Sequence, residues 1–331
     1  MPDPGKADLK SQSPADVGDV QSPPQMAAPE SAGRLRNFGL ATLGLALCFS
    51  APLWDLVRFS AGSELFSYIL LIPFISLYLA WPNRQKILSS SPPARGVAAL
   101  FLAGGAFVLI AYWLMLRHRI WSMQVDYLAV MMIAFLLFFV GISALFLSKT
   151  SLFENSFALS LLIFMVPIPP AGVLFIDGIL QSGSALVAQG LFTMSGMPFL
   201  QSGLVFKLPG ITIEIAPECS GIHSSLVLFI TSLVAGYLFL RTPSRRTVFV
   251  LAVIPLAMLR NGFRVFVIGE LCVHIGPQMI DSPIHHRGGP LFFVLSLIPL
   301  LLLLVVLQKS ERARGKSRPD NREESKSKSP D

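Results

Sequence analysis

The chain has 331 residues, of which 53% are hydrophobic and only 14% are charged. A water-soluble domain cannot bury that much apolar surface, whereas a bilayer accepts it directly, so the composition predicts an all-α, polytopic membrane protein. The net charge of +7 comes from basic residues in short loops and in the C-terminal tail. Such placement is typical of segments retained on the cytoplasmic side, and no nucleic acid partner is needed to explain it.

Both ends of the chain are polar. The first 33 residues are rich in Pro, Ser, Asp and Gln, and residues 1–36 are predicted to form a disordered cytoplasmic tail. This stretch has no apolar core, so a cleavable signal peptide is not expected. Residues 309–331 are predicted to be a second disordered, basic cytoplasmic tail. The transmembrane domain is therefore predicted to cover residues 37–308.

Apolar runs of sufficient length predict about eight transmembrane helices. These runs lie at about 38–58, 65–81, 97–116, 126–147, 152–169, 221–240, 247–271 and 290–307. Residues 171–200 are interrupted by polar side chains such as Asp177 and Gln181. This stretch is predicted to be an amphipathic helix that lies at the membrane interface or packs on the bundle.

Basic residues orient the predicted spans. Arg34 and Arg36 precede the first span, and alternate loops and the C-terminal tail carry further Lys and Arg. With eight spans in the inner (plasma) membrane, both termini are expected in the cytoplasm, because basic loops tend to stay inside. One loop, with Arg117 and Arg119, disagrees with this assignment. A further span at 171–200 would invert everything after it.

A small β-hairpin is predicted directly before the sixth span. Apolar and polar residues alternate over residues 204–208 and 211–215, and Pro209 and Gly210 separate the two stretches. Open strand edges are not tolerated in hydrocarbon. The hairpin is therefore expected outside the bilayer, on the extracytoplasmic side.

The helix after the hairpin is expected to carry a reactive cysteine. Pro217 disfavours helix before it and Ser220 is a suitable N-cap, so Cys219 is predicted at or beside the helix N-terminus. The partial positive charge there favours a thiolate, which is the nucleophilic form of the side chain. The alternative is that Cys219 is simply a small buried apolar residue. Three widely spaced cysteines form neither a disulfide framework nor a CxxC metal site.

Arg260 and Arg264 lie within the seventh predicted span, where charged residues are costly and are functional candidates. They are four residues apart and so share a helix face. A thiolate and the oxyanion of a tetrahedral intermediate would provide the anionic partners that two arginines need. The alternative is an arginine that extends to lipid phosphates.

Histidines supply candidates for a general acid or base. His223 lies one helical turn after Cys219, while His285 and His286 lie in the loop before the last span. Chemistry alone does not choose between His223 and His285. The chain has no HExxH motif and no aspartate pair within a span, which argues against membrane metalloproteases and aspartyl proteases. No metal or cofactor is expected.

Taken together, these stretches resemble the exosortase/archaeosortase family of integral-membrane cysteine transpeptidases. The similarity covers about residues 37–307, with weaker support from residues 166–170 and from the hairpin. The matching stretches are Cys219-Ser220-Gly221-Ile222, then Pro255 with Asn261-Gly262-Phe263-Arg264, and then His285-His286-Arg287-Gly288-Gly289.

The resemblance implies a catalytic site of Cys219 as nucleophile, Arg264 and His285. Its implied partners are exported proteins with a C-terminal sorting signal, made of a short motif, a transmembrane helix and a basic cluster. The enzyme would cleave at the motif and transfer the protein to an acceptor at the cell surface. His286 and His223 depart from the family's pattern, so the choice among the three histidines stays open at this point.

A second hypothesis comes from a different class. The chain would be a non-enzymatic transporter or an assembly subunit of an exopolysaccharide export system. The arginines would then bind an anionic lipid or a sugar phosphate, and Cys219 would be structural. Thiol labelling distinguishes the two hypotheses, because only the enzyme requires a reactive outward-facing thiol at Cys219 but not at Cys48 or Cys272.

Overall fold

The computed structural model describes residues 28–83, 93–117, 124–216, 221–281 and 289–316. Over these residues the chain is mainly α-helical, and short 3-10 turns continue several of the helices. The helices are α1 (Ala28–Cys48), α2 (Ser50–Gly62), α3 (Ile72–Ala80), α4 (Arg95–Arg117), α5 (Gln124–Phe146), α6 (Lys149–Glu154), α7 (Ser156–Leu161), α8 (Pro170–Ser195), α9 (Ile222–Phe239), α10 (Pro243–Leu251), α11 (Val253–His274) and α12 (Gly289–Lys316).

Six helical segments of the described chain are long and apolar enough to cross a membrane. They are α4, α5, α8, α9, the continuous pair α10–α11, and α12. Helices α1 and α2 form a seventh candidate as a pair bent by 69°. A multi-pass helical membrane protein is therefore confirmed.

The count of eight spans is not confirmed. Two of the predicted spans, 65–81 and 152–169, fall on shorter apolar helices at Ser67–Ala80 and Ser156–Met165. Helix α8, in contrast, falls on the stretch that was not counted as a span, and its length is sufficient for one.

Helix α8 is 26 residues long and packs along α11. Its polar residues Asp177, Gln181 and Ser184 are all buried. Their spacing of four and three residues places them on one helix face, which points into the bundle. The polar side chains that interrupt this stretch therefore mark the inward face of a packed helix rather than a boundary between lipid and water. Of the two alternatives for this stretch, packing on the bundle describes α8.

The predicted hairpin is present and belongs to a three-stranded antiparallel sheet, in the order β1 (Leu200–Ser202), β2 (Val205–Leu208) and β3 (Ile211–Glu214). Leu208 pairs with Ile211 across the two-residue turn. In the turn, Gly210 has φ +81°, a left-handed conformation that glycine adopts without steric cost. Strand β1 was not predicted.

The sheet packs on one end of the α8–α11 pair. Buried Phe206 and Leu208 of the sheet belong to one apolar cluster with Phe192 of α8 and Val265 of α11. This end of the bundle is called the sheet end below. The sheet buries its apolar face on two helices, so it does not depend on lipid contact for its stability.

The opposite end of the bundle is formed by the connection from α9 to α10. It carries Arg241, Arg245 and Arg246 and is called the basic end below. The carboxylate of Glu311 on α12 accepts hydrogen bonds from the backbone N–H groups of Arg241 and Thr242, at 3.1 and 2.9 Å. These bonds attach α12 to the start of α10.

Candidate active site

The start of helix α9 has an unusual backbone. Gly221 precedes the first helical residue with φ +69°, which only glycine adopts readily. Its carbonyl oxygen accepts hydrogen bonds from the backbone N–H of Ser225 at 2.9 Å and from the hydroxyls of Ser225 and Ser224 at 2.8 and 3.0 Å. A Cβ atom at Gly221 would lie 2.8 Å from Nη2 of Arg260. Glycine is therefore required here for both conformation and space.

Arg260 of α11 is buried, with 7% of its surface exposed. Its Nη2 donates to the carbonyl oxygen of Gly221 at 3.1 Å and to the hydroxyl oxygen of Ser225 at 3.0 Å. Its Nη1 is buried and has no hydrogen-bond partner in the part of the chain that the structure describes. The side chain thus joins α11 to the start of α9.

Asn261, the next residue, is 2% exposed and joins α11 to α8. Its Nδ2 donates to the hydroxyl oxygen of Ser184 at 3.1 Å, and that hydroxyl donates to the carbonyl oxygen of Leu180 at 2.6 Å. Arg260 and Asn261 together connect three helices through buried polar groups. Such networks fix the positions of helices because an unpaired buried polar group is costly.

Arg264 lies one helical turn after Arg260, toward the sheet end, and is partly buried. Its neighbour Val265 is already part of the apolar cluster under the sheet. Of the predicted pair, Arg260 contacts the start of α9, and Arg264 lies one turn nearer the sheet on the same helix. Arg260 is the more deeply buried of the two, which the sequence pattern did not indicate.

His223 lies in the first turn of α9, where its Nε2 is 3.5 Å from the hydroxyl oxygen of Ser67. It is partly buried beside the candidate site. His274 differs, because it is exposed and lies 3.0 Å from the Glu270 carboxylate within the same helix. A contact of this kind on a helix surface is typical of an ordinary solvated residue.

Cys219, His285 and His286 lie outside the described residues, so their side-chain geometry stays a prediction. In the chain, Cys219 is two residues before Gly221. The other two cysteines are described and free: Cys48 is exposed on α1, and Cys272 is buried near the end of α11.

Two contributors to this arrangement, Ser184 and Ser225, were not identified from the sequence as parts of the site. Ser184 is one of the polar residues that interrupt the apolar sequence of α8. It lies seven residues, or about two helical turns, after Asp177, and this spacing could have indicated a polar stripe on the inward face. Ser225 has no comparable signal, because its contact with Arg260 joins residues 35 positions apart. Among the described residues, no group of His, Cys, Asp and Glu is arranged to hold a metal ion.

A family model described as Transmembrane exosortase (Exosortase_EpsH) matches residues 38–302. The chain belongs to the transmembrane exosortase family. The matched region contains the start of α9, both arginines and the loop before α12, so it includes all three stretches on which the resemblance depended. No curated protein and no solved structure matches the chain at a significant level.

Proposed function

We propose that this exosortase-family protein is a membrane-embedded cysteine protease or transpeptidase. It cleaves the C-terminal sorting signal of exported proteins and transfers them to an acceptor at the cell surface. The observation that carries the proposal is the family match over residues 38–302, together with the arginine pair of α11, of which Arg260 contacts the start of the helix that follows Cys219. A buried cation in a membrane protein requires an anionic or polar partner, and acyl transfer generates anions at the reacting atoms.

The proposed reaction begins with the thiolate of Cys219, which attacks the scissile carbonyl of the sorting motif. The tetrahedral intermediate collapses to an acyl-enzyme thioester, and the C-terminal fragment leaves as an amine that takes up one proton. An acceptor nucleophile then attacks the thioester and releases the thiolate. Arg264 stabilises the oxyanion, and His285 exchanges the proton.

Arg264 suits the oxyanion role for a geometric reason. It is partly rather than fully buried, and it lies one turn nearer the sheet than Arg260. A guanidinium presents a planar set of donors that two oxygens can engage at once. If the substrate peptide runs along the sheet, its scissile carbonyl must lie between the sheet and α9, the helix that follows Cys219.

The sheet supplies an edge for such a peptide. The pair Leu208 and Ile211 closes the two-residue turn, and the N–H of Ile215 donates to the carbonyl oxygen of Leu204. In an antiparallel ladder, hydrogen-bonded pairs alternate with pairs that are not hydrogen-bonded, and the pair of Lys207 and Thr212 is one of the latter. By that alternation the N–H of Thr212 faces away from β2, toward the open edge of β3. An extended substrate can add to this edge as a further strand, only a few residues before Cys219 in the chain.

The proposed orientation places the sheet end outside the cell and the basic end in the cytoplasm. The three arginines at the basic end support it, because short basic loops stay on the cytoplasmic side. The C-terminal end of α12 is then cytoplasmic, because Glu311 binds the connection at the basic end. We propose that the N-terminus is cytoplasmic as well and that the membrane is the plasma membrane. The transmembrane helix of the sorting signal would lie in lipid beside the bundle, and its basic cluster would lie level with the basic end.

Co-expression with candidate sorting-signal proteins tests the proposal, since cleavage shifts the substrate to a smaller size. We expect Cys219→Ala to abolish the shift while the protein remains folded in the membrane. Cys48→Ala and Cys272→Ala are matched controls and should be close to silent. Wild-type processing by Cys219→Ala would exclude this mechanism. If Cys219 is also no more reactive than Cys48 toward a thiol reagent, the non-enzymatic export subunit becomes the better hypothesis.

A further inference from the structure

Asp55 is a carboxylate within a candidate membrane span. It lies on α2, in the bent α1–α2 pair that is apolar enough to cross a membrane, and its side chain is half-buried. Among the described residues, Asp55 forms no ion pair. A charged side chain within a span is costly unless it has a partner, so an unpaired carboxylate at this position is a candidate ligand for a cation.

Two tyrosines lie beside Asp55. Helices α2, α4 and α5 all contribute side chains to one apolar cluster, so these three helices pack together. Tyr112 of α4 and Tyr127 of α5 have ring centroids 5.9 Å apart, with an angle of 44° between the ring planes. Tyr127 is close enough to Asp55 for the two side chains to interact electrostatically. A carboxylate and two aromatic rings therefore meet where the three helices join.

Two arginine–tryptophan pairs mark the level of this site. The guanidinium of Arg58 lies 5.5 Å from the centre of the Trp54 ring on α2, and that of Arg117 lies 5.8 Å from the Trp113 ring on α4. The two tryptophans are adjacent in the chain to the carboxylate and to one of the tyrosines, and both are exposed. Tryptophan, tyrosine and arginine are enriched where hydrocarbon meets the lipid headgroups. The site is therefore expected at the headgroup level, open to lipid.

The charges around the site suit a zwitterion. The charged or titratable groups near Asp55 along the chain and at the adjoining helix ends are Arg58, Arg117, Asp126, and, in the α4–α5 connection outside the described residues, His118 and Arg119. Arg58 and Arg117 are exposed, and a guanidinium is well suited to hydrogen-bond a phosphate. The described part of the site thus combines a partner for a cation with two partners for a phosphate.

We propose that Asp55, Tyr112 and Tyr127 form a binding site for the ammonium group of a lipid with an ethanolamine headgroup. A carboxylate beside aromatic faces attracts an ammonium group by charge and by the cation–π interaction. The phosphate of the same headgroup would contact Arg58 or Arg117. The position beside exposed tryptophans at the headgroup level favours a lipid over a free amine. Bound lipid would hold α2 against α4 and α5 and so stabilise the folded protein.

Lipid retention by the full-length protein tests this site. The protein in detergent is mixed with equal amounts of dioleoyl phosphatidylethanolamine, its N-acetyl derivative and dioleoyl phosphatidylglycerol, and native mass spectrometry measures the bound lipids. The three lipids share acyl chains and phosphate, and only the first has an ammonium group. We expect the wild type to retain phosphatidylethanolamine about threefold or more over each of the others.

Three substitutions assign the preference to particular side chains. Asp55→Asn keeps the shape of the side chain and removes its charge, and the retention ratio should fall to near one. Tyr127→Leu removes one ring and should lower the ratio by about half or more. Glu214→Gln removes an exposed carboxylate from the sheet and is the matched control, for which we expect the wild-type ratio.

Equal retention of the three lipids by the wild type would overturn the proposal and would indicate that Asp55 is paired otherwise, for example with Arg119. An unchanged preference in Asp55→Asn would also overturn it. If Asp55→Asn does not fold, the N-acetyl comparison on the wild type and the Tyr127→Leu ratio decide. Thermal stabilisation by free ethanolamine equal to that by the lipid would assign the site to soluble amines instead. These measurements involve neither Cys219 nor processing, so they are independent of the proposed function.

Discussion

Helix α9 has an arginine bound at each of its ends, and the two ends differ. At the basic end, Arg246 donates from Nε to the carbonyl of Leu240 at 2.7 Å and from Nη2 to the carbonyl of Tyr237 at 3.3 Å. Its guanidinium also lies 5.1 Å from the centre of the Tyr237 ring. At the sheet end, Arg260 contacts the helix N-terminus and retains a buried donor without a described partner.

The local electrostatics of Arg246 and Arg260 distinguish a structural arginine from a candidate functional one. The last carbonyls of a helix are unpaired and carry partial negative charge, so a cation there completes the helix and stabilises it. Arg246 follows that rule. Arg260 opposes it, because a cation at a helix N-terminus is unfavourable. A residue that conflicts with its local electrostatics, while its neighbours satisfy theirs, is expected at a functional site.

The largest effect is expected at Arg264. Arg264→Lys should lower processing about 100-fold or more, because an ammonium group cannot reproduce the planar donors of a guanidinium at an oxyanion. Arg260→Lys should be milder, with a loss below about 10-fold, since the charge near Gly221 is kept. The initial rate of the substrate size shift measures both. A reversed order of severity would mean that the oxyanion role belongs to Arg260.

The next effect concerns the histidines. His285→Ala should lower processing about 100-fold, as loss of a general acid or base does. His286→Ala and His223→Ala should cost less, although His223 is the histidine that the structure describes beside the site. The same assay compares the three variants at equal membrane abundance. An inactive His223→Ala beside an active His285→Ala would transfer the proton-exchange role to the first turn of α9.

A pair of glycines isolates the contact between α9 and Arg260. Gly221→Ala and Gly196→Ala both place a side chain at a left-handed residue, with φ +69° and +74°, and each should cost about 1–2 kcal/mol of stability. Only at Gly221 would the new Cβ meet Arg260, since Gly196 has open space around it. We therefore expect Gly221→Ala to lower processing per folded molecule about 10-fold and Gly196→Ala to leave it unchanged. Equal activities in the two variants would show that the Gly221–Arg260 contact has no catalytic consequence.

The open edge of β3 provides a smaller effect. Thr212→Pro removes a backbone donor that faces the open edge while leaving the β2–β3 ladder bonds in place. We expect weaker substrate capture, seen as a several-fold higher substrate requirement, with the alkylation rate of Cys219 unchanged. Faster alkylation instead would identify the sheet as a lid over the thiol. Ile213→Pro breaks the ladder and is the control for loss of the sheet.

The smallest effect is expected at the basic end. Glu311→Ala removes two acceptors for the backbone N–H groups of Arg241 and Thr242. The site is near the surface, so the expected loss of stability is about 1 kcal/mol, with processing per folded molecule unchanged. Thermal unfolding in detergent and the processing assay measure the two quantities. If Glu311→Ala lowered processing without lowering stability, the basic end would also have a functional role, and the two ends of α9 would no longer differ in this respect.

The parts of the fold that depend on local sequence were predictable. The apolar runs at 97–116, 126–147 and 221–240 correspond to α4, α5 and α9, and strict alternation around Pro209 and Gly210 predicted the β2–β3 hairpin. In each case the periodicity and the turn lie within a few residues of one another. Local pattern and final structure therefore agree.

Helix α8 and the Arg260 contacts depend on tertiary structure and were not predictable in the same way. Average hydropathy counts Asp177 and Gln181 against a span, but it does not record that both face the interior. The hydrogen bond from Arg260 to Gly221 joins residues 39 positions apart. Motif similarity selected Arg264 on α11 but had no means of showing which arginine contacts the backbone of α9.

The glycines of α11 determine what can move in this bundle. A Cβ at Gly262 would lie 2.6 Å from Val187 of α8, and one at Gly269 would lie 2.6 Å from Phe192. The backbone of α11 therefore approaches α8 more closely than a residue with a side chain would allow. Because such close packing resists sliding, we expect α8, α11 and the sheet that packs on them to move together when a substrate widens the site.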